Sequence, residues 1–87
     1  MVSEKLGENI LDVEVTNISK NGFWIFVDDR ELFLPFDKFP WFKNSTIDEI
    51  TDIKREGERH LFWEKLDIDL TVEMIQNPDR YPLVAKI

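Results

Sequence analysis

The sequence has no cysteine, one histidine and three glycines, and each of these shortages excludes a kind of site. Without cysteine there is no disulfide framework and no zinc site built on thiolates. The single histidine, His60, disfavours a zinc site of any kind, because such sites combine several Cys, His or carboxylate ligands. Three scattered glycines are too few to form a loop that cradles phosphate groups.

Long apolar runs and clustered basic residues are also missing. No apolar run approaches the roughly 20 residues that cross a bilayer. The first ten residues carry Glu4 and Glu8 where a signal peptide would be apolar, so we expect a cytoplasmic protein. The basic residues are scattered, and their densest pair is Lys54-Arg55. Because no basic stripe is available to neutralise phosphates, we expect no direct binding of nucleic acid. Because no long apolar run is present, we also expect no membrane association.

Acidic charge and apolar side chains are plentiful. Eighteen acidic residues against eleven basic residues give a net charge of −7, and 43% of the 87 residues are apolar, including seven Phe and three Trp. A chain of this length buries only about 60% of its unfolded surface, but the composition supports a globular core. We expect one domain over residues 1–87, with residues 1–9 frayed. The acidity suits a basic protein partner, and it also simply aids solubility.

The first half of the sequence predicts an antiparallel meander of three strands. Residues 10–18 alternate between apolar and polar, which is the pattern of a strand with one wet face. The Asn-Gly pair in "SKNG" is a strong hairpin signal. "FWIFV", residues 23–27, is apolar on both faces, as is typical of a strand that is central or covered twice. "ELFLPF" is the third strand, and Pro35 predicts that it ends there or lies at an edge.

The second half predicts a short helix and then three further strands. "STIDEI" contains the capping-box spacing between Thr46 and Glu49, with Ser45 as a competing cap. The strand "TDIKR" leads through "EGE" into "RHLFW", and Gly57 can adopt the positive φ that a tight turn needs. "LDIDL" is a last short strand.

A second short helix completes the predicted order of elements. "TVEMIQN" is expected to be helical, capped by Asp69 or Thr71 and stopped before Pro78. Tyr81, Leu83 and Val84 in the tail are expected to pack back on the domain. The order β-β-β-α-β-β-β-α describes an α+β fold, with a small and mainly antiparallel sheet of about six short strands and two short helices.

The segment "FPWF", residues 39–42, places three aromatic rings beside a proline. The favoured interpretation is a plug that buries its rings against an open sheet face, because a small domain needs such side chains for its core. The alternative is that Trp41 stays partly exposed and anchors a partner, since tryptophan is enriched at interface hot spots. The candidate partner-binding residues are Trp41, Phe42 and Trp24.

No motif in the sequence predicts catalysis, and we expect a protein that is not an enzyme. His60 is followed by three carboxylates, but their spacing matches no metal site; they are Glu64, Asp67 and Asp69. Other paired carboxylates fit turn and cap chemistry, whereas general acid–base catalysis needs two of them in one cleft. We therefore predict no catalytic, cofactor-binding or metal-binding residue.

Several segments, taken in order, resemble a known bacterial family. They are "DDRELFL", "FPWF", "STIDEI" and "WEKLDIDL", within a likeness that covers roughly Ile10 to Leu83. On these segments the chain is similar to the family catalogued as domain of unknown function 2442. The resemblance implies a small α+β domain like the amino-terminal half of a helix-turn-helix protein, often encoded beside another small protein as in toxin–antitoxin pairs. It implies no catalytic residue, and from the sequence we expect no helix-turn-helix segment after the domain.

Three hypotheses of function follow. The first is an antitoxin-like interaction module whose partner is a small basic protein encoded next to it. The second is a ligand-sensing or regulatory domain without its DNA-binding output domain, which predicts an apolar pocket lined by Trp24, Phe26 or Trp63. The third is a structural piece of a larger assembly, which the sequence does not separate from the first. An open sheet also has unpaired edge strands. We expect that such an edge pairs with a second copy in a homodimer or accepts a strand from a partner.

Overall fold

Two antiparallel meanders of three strands each form the body of the protein. The computed structural model describes residues 13–81. Within them the elements are, in order, β1 (Glu14–Ile18), β2 (Gly22–Val27), β3 (Arg30–Pro35), α1 (Ile47–Ile50), β4 (Ile53–Glu56), β5 (His60–Trp63), β6 (Ile68–Thr71) and α2 (Val72–Gln76). Single 3-10 turns lie at Pro40–Phe42, Glu64–Leu66 and Pro78–Arg80. The predicted α+β class and order of elements are confirmed.

The six described strands divide between two sheets, with the orders β1-β2-β3 and β4-β5-β6. Among residues 13–81 no helix has the length and apolar character needed to cross a membrane. Three predictions concern residues outside the described range: the start of the first strand at residues 10–12, the fraying of residues 1–9, and the packing of Leu83 and Val84.

The first sheet follows the predicted pattern of alternation. On β2, Phe23, Ile25 and Val27 are fully buried, whereas Trp24 and Phe26 point to the opposite face. β2 is the central strand, as predicted for a segment that is apolar on both sides. Among residues 13–81 no element covers the second face of β2, where Trp24 is 36% exposed and Phe26 is 42% exposed.

Gly22 begins β2 at a point where the chain leaves no room for a side chain. A Cβ atom built on Gly22 would lie 2.4 Å from the Leu34 carbonyl oxygen and 2.8 Å from the Phe33 ring. We expect Gly22→Ala to lower the free energy of unfolding by about 1–3 kcal/mol, the usual cost of forcing extra atoms into a packed site. Urea unfolding measures the change.

A glycine in the turn between β4 and β5 provides the control for this prediction. Gly57 has a φ of 69° and nothing within 4 Å of a built Cβ atom. Because asparagine tolerates the left-handed region, Gly57→Asn is expected to cost much less than Gly22→Ala. A stability of Gly22→Ala equal to that of the unmodified protein would contradict the close approach.

Both sheets and both helices contribute side chains to one core. Its centre is a cluster of three rings, in which the centroid of Phe42 lies 4.9 Å from that of Phe23 and 4.8 Å from that of Trp63. The buried apolar residues are Phe23, Ile25, Val27, Leu34, Phe39, Phe42, Ile50, Ile53, Leu61, Trp63, Ile68, Leu70, Val72 and Ile75. The shared core holds the two sheets together.

Both short helices begin with the side-chain caps that the sequence predicts. Thr46 Oγ1 accepts a hydrogen bond from the Glu49 amide at 3.1 Å, and Glu49 Oε1 accepts one from the Thr46 amide at 2.9 Å. This is the predicted capping box, with Thr46 rather than Ser45 as the cap. The second helix is capped by Thr71, whose Oγ1 accepts from the Met74 amide at 3.1 Å.

Candidate functional site

The "FPWF" segment closes one side of the core, as the plug interpretation predicts. The Pro35 carbonyl accepts hydrogen bonds from the amides of Lys38 at 3.1 Å and Phe39 at 2.9 Å, which turns the chain back over the first sheet. Pro40 then occupies the first turn of the 3-10 helix, where its fixed φ is favourable. The segment places Phe39 and Phe42 in the core, with exposed fractions of 1% and 0%.

The structure does not bring the three predicted partner-binding residues together. Phe42 is fully buried, so it offers no surface to a partner, and it is removed from the candidate set. Trp41 is half-buried, packs against the core and has its ring 6.2 Å from that of Phe39. Trp24 lies on the outer face of the first sheet, on the opposite side of β2 from Phe23 and therefore from the Phe42 ring.

Three aromatic side chains share the outer face of the first sheet, and we call Trp24, Phe26 and Phe33 the aromatic face. Trp24 is 36% exposed and Phe26 is 42% exposed. Trp24 lies directly opposite Phe33 on β3, with 4.9 Å between the ring centroids. The face therefore combines the paired rings of Trp24 and Phe33 with the Phe26 ring, which lies two residues further along β2 on the same side.

Two glutamates flank the exposed Phe26 ring. In the register of the sheet, Phe26 pairs with Glu14 of β1 on one side and with Glu31 of β3 on the other. Both glutamates are exposed. Thr16 Oγ1 lies 3.4 Å from Glu31 Oε2, which is within hydrogen-bond distance. Among residues 13–81 neither carboxylate forms an ion pair.

The outer face of the second sheet is charged instead of aromatic. Its central ring, Phe62, is half-buried and lies between Lys54 of β4 and Asp69 of β6. Lys54 Nζ contacts Glu64 Oε1 at 2.9 Å and Asp52 Oδ1 at 3.5 Å. The hydrogen bond to Glu64 and the charge of Asp52 raise the pKa of Lys54. Lys54 is therefore compensated by acids of its own sheet and the turns beside it.

His60 lies on the same charged face, and its nearest acidic partner is Asp69. His60 Nδ1 is 3.4 Å from Asp69 Oδ1, and both side chains are more than half exposed. In the part of the chain that the structure describes, no three His, Cys, Asp or Glu side chains are grouped so as to hold a metal ion.

A polar cleft opens between the β2–β3 turn, the β4–β5 turn and α2. Three of the four arginines of the chain line it, together with three carboxylates, so the charges balance. The arginines are Arg30, Arg55 and Arg59, and the carboxylates are Asp28, Glu58 and Glu73. Trp24, Phe26 and Trp63, which were expected to line an apolar pocket, do not line this cleft.

Arg55 joins the two sheets at this cleft. Its Nη1 and Nη2 atoms each donate to one Asp28 carboxylate oxygen at 2.9 Å, and Nη2 also donates to the Glu58 carbonyl at 2.7 Å. The Arg55 side chain is only 3% exposed, whereas that of Asp28 is 44% exposed. The hydrogen bonds from Arg55 hold the pKa of Asp28 below its ordinary value. Across the cleft, the side-chain oxygen of Gln76 accepts hydrogen bonds from Arg30 Nη1 at 2.9 Å and Nη2 at 3.2 Å, with the Gln76 amide in the orientation that fits its neighbours.

Sequence reasoning missed two members of the aromatic face. Phe26 and Phe33 were absent from the predicted partner-binding set, although "FWIFV" showed that β2 is apolar on both sides. That signal does not distinguish a strand covered twice from a central strand with one open face. The structure gives the second arrangement, and Trp24, the predicted residue on that face, has Phe33 as its immediate neighbour.

Comparison with known proteins gives one family. The model of the family described as "Protein of unknown function (DUF2442)" matches residues 12–81. No curated protein and no solved structure matches the chain. The family's description assigns no activity, ligand or partner.

Proposed function

The chain belongs to the DUF2442 family, and from that premise we propose that it is a non-enzymatic protein-interaction module that docks a partner on the aromatic face. The observation that carries the proposal is the exposure of Trp24 and Phe26 side by side on a sheet. Contiguous apolar patches on soluble proteins commonly mark binding sites. Tryptophan dominates interface hot spots because its ring buries a large area at little entropic cost.

The charge around the aromatic face favours a basic partner. Glu14 and Glu31 stand on either side of Phe26, and the whole chain carries a net charge of −7. A positively charged protein would be steered towards this surface, and an acidic one would be repelled. We propose as partner a small basic protein encoded beside this one in a bacterial cytoplasm, with the module in an antitoxin-like role.

A second copy of the chain is a poorer occupant of this face. An isologous contact would bring the Glu14 and Glu31 carboxylates of one copy towards those of the other, and like charges that lose water in an interface are costly. A homodimer would instead use a strand edge of one of the two open sheets. Sedimentation of Trp24→Thr distinguishes these cases, because a dimer through an edge survives that substitution.

Substitutions on the aromatic face test the proposal directly. Trp24→Thr and Phe26→Thr keep side chains that suit a strand, and each is expected to weaken the complex with the co-expressed neighbouring protein. A hot-spot residue contributes about 2 kcal/mol or more, which is roughly 30-fold in Kd. Isothermal titration calorimetry measures Kd, and the thermal midpoint shows that the variants stay folded.

The matched control is Phe62→Thr, which removes the central ring from the outer face of the other sheet. It is expected to leave Kd unchanged. An unchanged Kd for the Trp24→Thr/Phe26→Thr double variant would refute the docking surface. Failure to recover any complex with the neighbouring protein would refute the proposed partner.

The polar cleft supports a second candidate function, the sensing of a small ligand. Three arginines and three carboxylates converge there, so the cleft offers donors and acceptors to a polar molecule that carries both signs of charge. Thermal-shift screening with amino acids and related zwitterions tests this function. A stabilisation that Arg59→Gln abolishes would support it, whereas no shift with any compound leaves the aromatic face as the functional surface.

A further inference from the structure

We infer that the aromatic face binds one cationic side chain of its partner, a lysine or an arginine, over the Phe26 ring and between the carboxylates of Glu14 and Glu31. The inference rests on the proposed function, because it assigns the chemistry of the partner to the same surface. The inference specifies which type of residue the partner presents and where on the aromatic face that residue binds.

The sheet register places two acids beside one ring. Glu14, Phe26 and Glu31 occupy one row across β1, β2 and β3. Side chains directly opposite each other on antiparallel strands have Cβ atoms about 4.5–5.5 Å apart. A cation centred on the Phe26 ring is therefore within reach of both flexible carboxylates at once. The ring face supplies an additional attraction through its quadrupole.

Several charged side chains elsewhere in residues 13–81 form ion pairs within the fold, so their charge is compensated without a partner protein. Four of the described cations have an acidic partner in the fold; the pairs are Lys38–Asp79, Lys54–Glu64, Arg55–Asp28 and Lys65–Asp48. Within residues 13–81 neither Glu14 nor Glu31 forms an ion pair with a basic side chain. A neutral segment docked over Phe26 would strip water from both carboxylates without compensation, whereas a cation compensates both.

The adjoining row completes the binding surface. Trp24 and Phe33 lie next to Phe26 and present apolar ring area with no charged neighbour in their own row, where the residue on β1 is Asn17. Two residues further along an extended partner segment, an apolar side chain would reach this row, because side chains alternate with a period of two. The preferred segment therefore carries a cation and an apolar residue at positions i and i+2.

Two short peptides that differ only in charge test the inference. The first is acetyl-Leu-Thr-Arg-Thr-Leu-amide, and the second replaces arginine by citrulline, which has a similar shape and no charge. Each is titrated into the full chain while NMR follows the Trp24 indole N–H and the Phe26 amide. We expect the arginine peptide to shift both signals and to bind about 5-fold or more tighter than the citrulline peptide, as two weak ion pairs and a cation–π contact imply.

Variants of the two acids show whether the charge acts at the inferred place. The Glu14→Gln/Glu31→Gln variant should lose most of the preference for arginine and most of the salt dependence of arginine binding, because only the cation–π contact with Phe26 remains. Glu56→Gln, which changes an exposed acid on the other sheet, should leave the preference for arginine intact.

Two outcomes would overturn the inference. Equal binding of both peptides, with shifts at Trp24 and Phe26, would leave the docking surface standing and refute the cation site. Shifts confined to residues away from Phe26, or no shift with either peptide, would refute it as well. The proposed function is judged separately, by the effect of Trp24→Thr on the complex with the neighbouring protein.

Discussion

Phe42→Ala is expected to lower the free energy of unfolding by about 3–5 kcal/mol, the range typical of removing a buried aromatic ring from a core. The Phe42 ring is fully buried and contacts the rings of Phe23 and Trp63, which belong to different sheets. Its removal therefore leaves a cavity at the place where the two sheets meet. Urea unfolding followed by circular dichroism measures the change.

The neighbouring Trp41 provides the matched control in the same 3-10 turn. Its larger side chain is only half-buried at the edge of the core, so Trp41→Ala is expected to cost about 1–2 kcal/mol. If Trp41→Ala were the more destabilising of the two, the assignment of Phe42 to the core and of Trp41 to its edge would be wrong. The comparison separates the two roles that the sequence left open for this segment.

Local patterns in the sequence predicted most of the elements. Alternation of apolar and polar residues located the strands, and the Asn-Gly pair located the first hairpin. The spacing of Thr46 and Glu49 predicted a capping box that the structure contains. Each of these signals depends on residues that are close in the chain. The interactions that form the element can therefore be recognised in a short stretch of sequence.

Features that depend on distant residues could not be predicted in this way. The division of the strands between two sheets depends on which strand faces pack together in the core. A short stretch of sequence does not show which faces these are. The pairing of Arg55 with Asp28 joins residues 27 positions apart. In the sequence, Arg55 was only part of a dense basic pair with Lys54. In β4 these neighbours point to opposite faces, one into the cleft and one to the outside.

The candidate site was predicted only in part for the same reason. The sequence predicted Trp24 and Phe42, together with Trp41, as partner-binding residues, and all three are large aromatic residues. Burial separates these residues, since Phe42 is 0% exposed and Trp24 is 36% exposed. Exposure is a property of the packed fold. A prediction from residue type alone therefore includes the buried Phe42 in the candidate site and leaves out the exposed Phe26.

Asp28→Asn is expected to lower the free energy of unfolding by about 2–3 kcal/mol, because it removes the negative charge that accepts two hydrogen bonds from the buried Arg55 guanidinium. Removing one partner of a fully buried pair costs about 3–5 kcal/mol, and the partial exposure of Asp28 reduces that figure. Arg55→Met should lower the free energy of unfolding by less, about 1 kcal/mol. Water can solvate the remaining Asp28 carboxylate, and the apolar methionine side chain fills the space of the arginine. Equal losses in the two variants would contradict the asymmetry of burial.

The same pair predicts how stability depends on pH. Hydrogen bonds from Arg55, followed by its charge, hold the pKa of Asp28 below its ordinary value of 3.8. A carboxyl group whose pKa is lower in the folded state stabilises the fold above the unfolded pKa, and this contribution disappears as the pH falls through the folded pKa. The difference in stability between the unmodified protein and Asp28→Asn should therefore be constant near neutral pH and should shrink below about pH 4. Urea unfolding from pH 7 down to pH 3 measures it, and a difference that stays constant over that whole range would show that Arg55 does not stabilise the ionised form of Asp28.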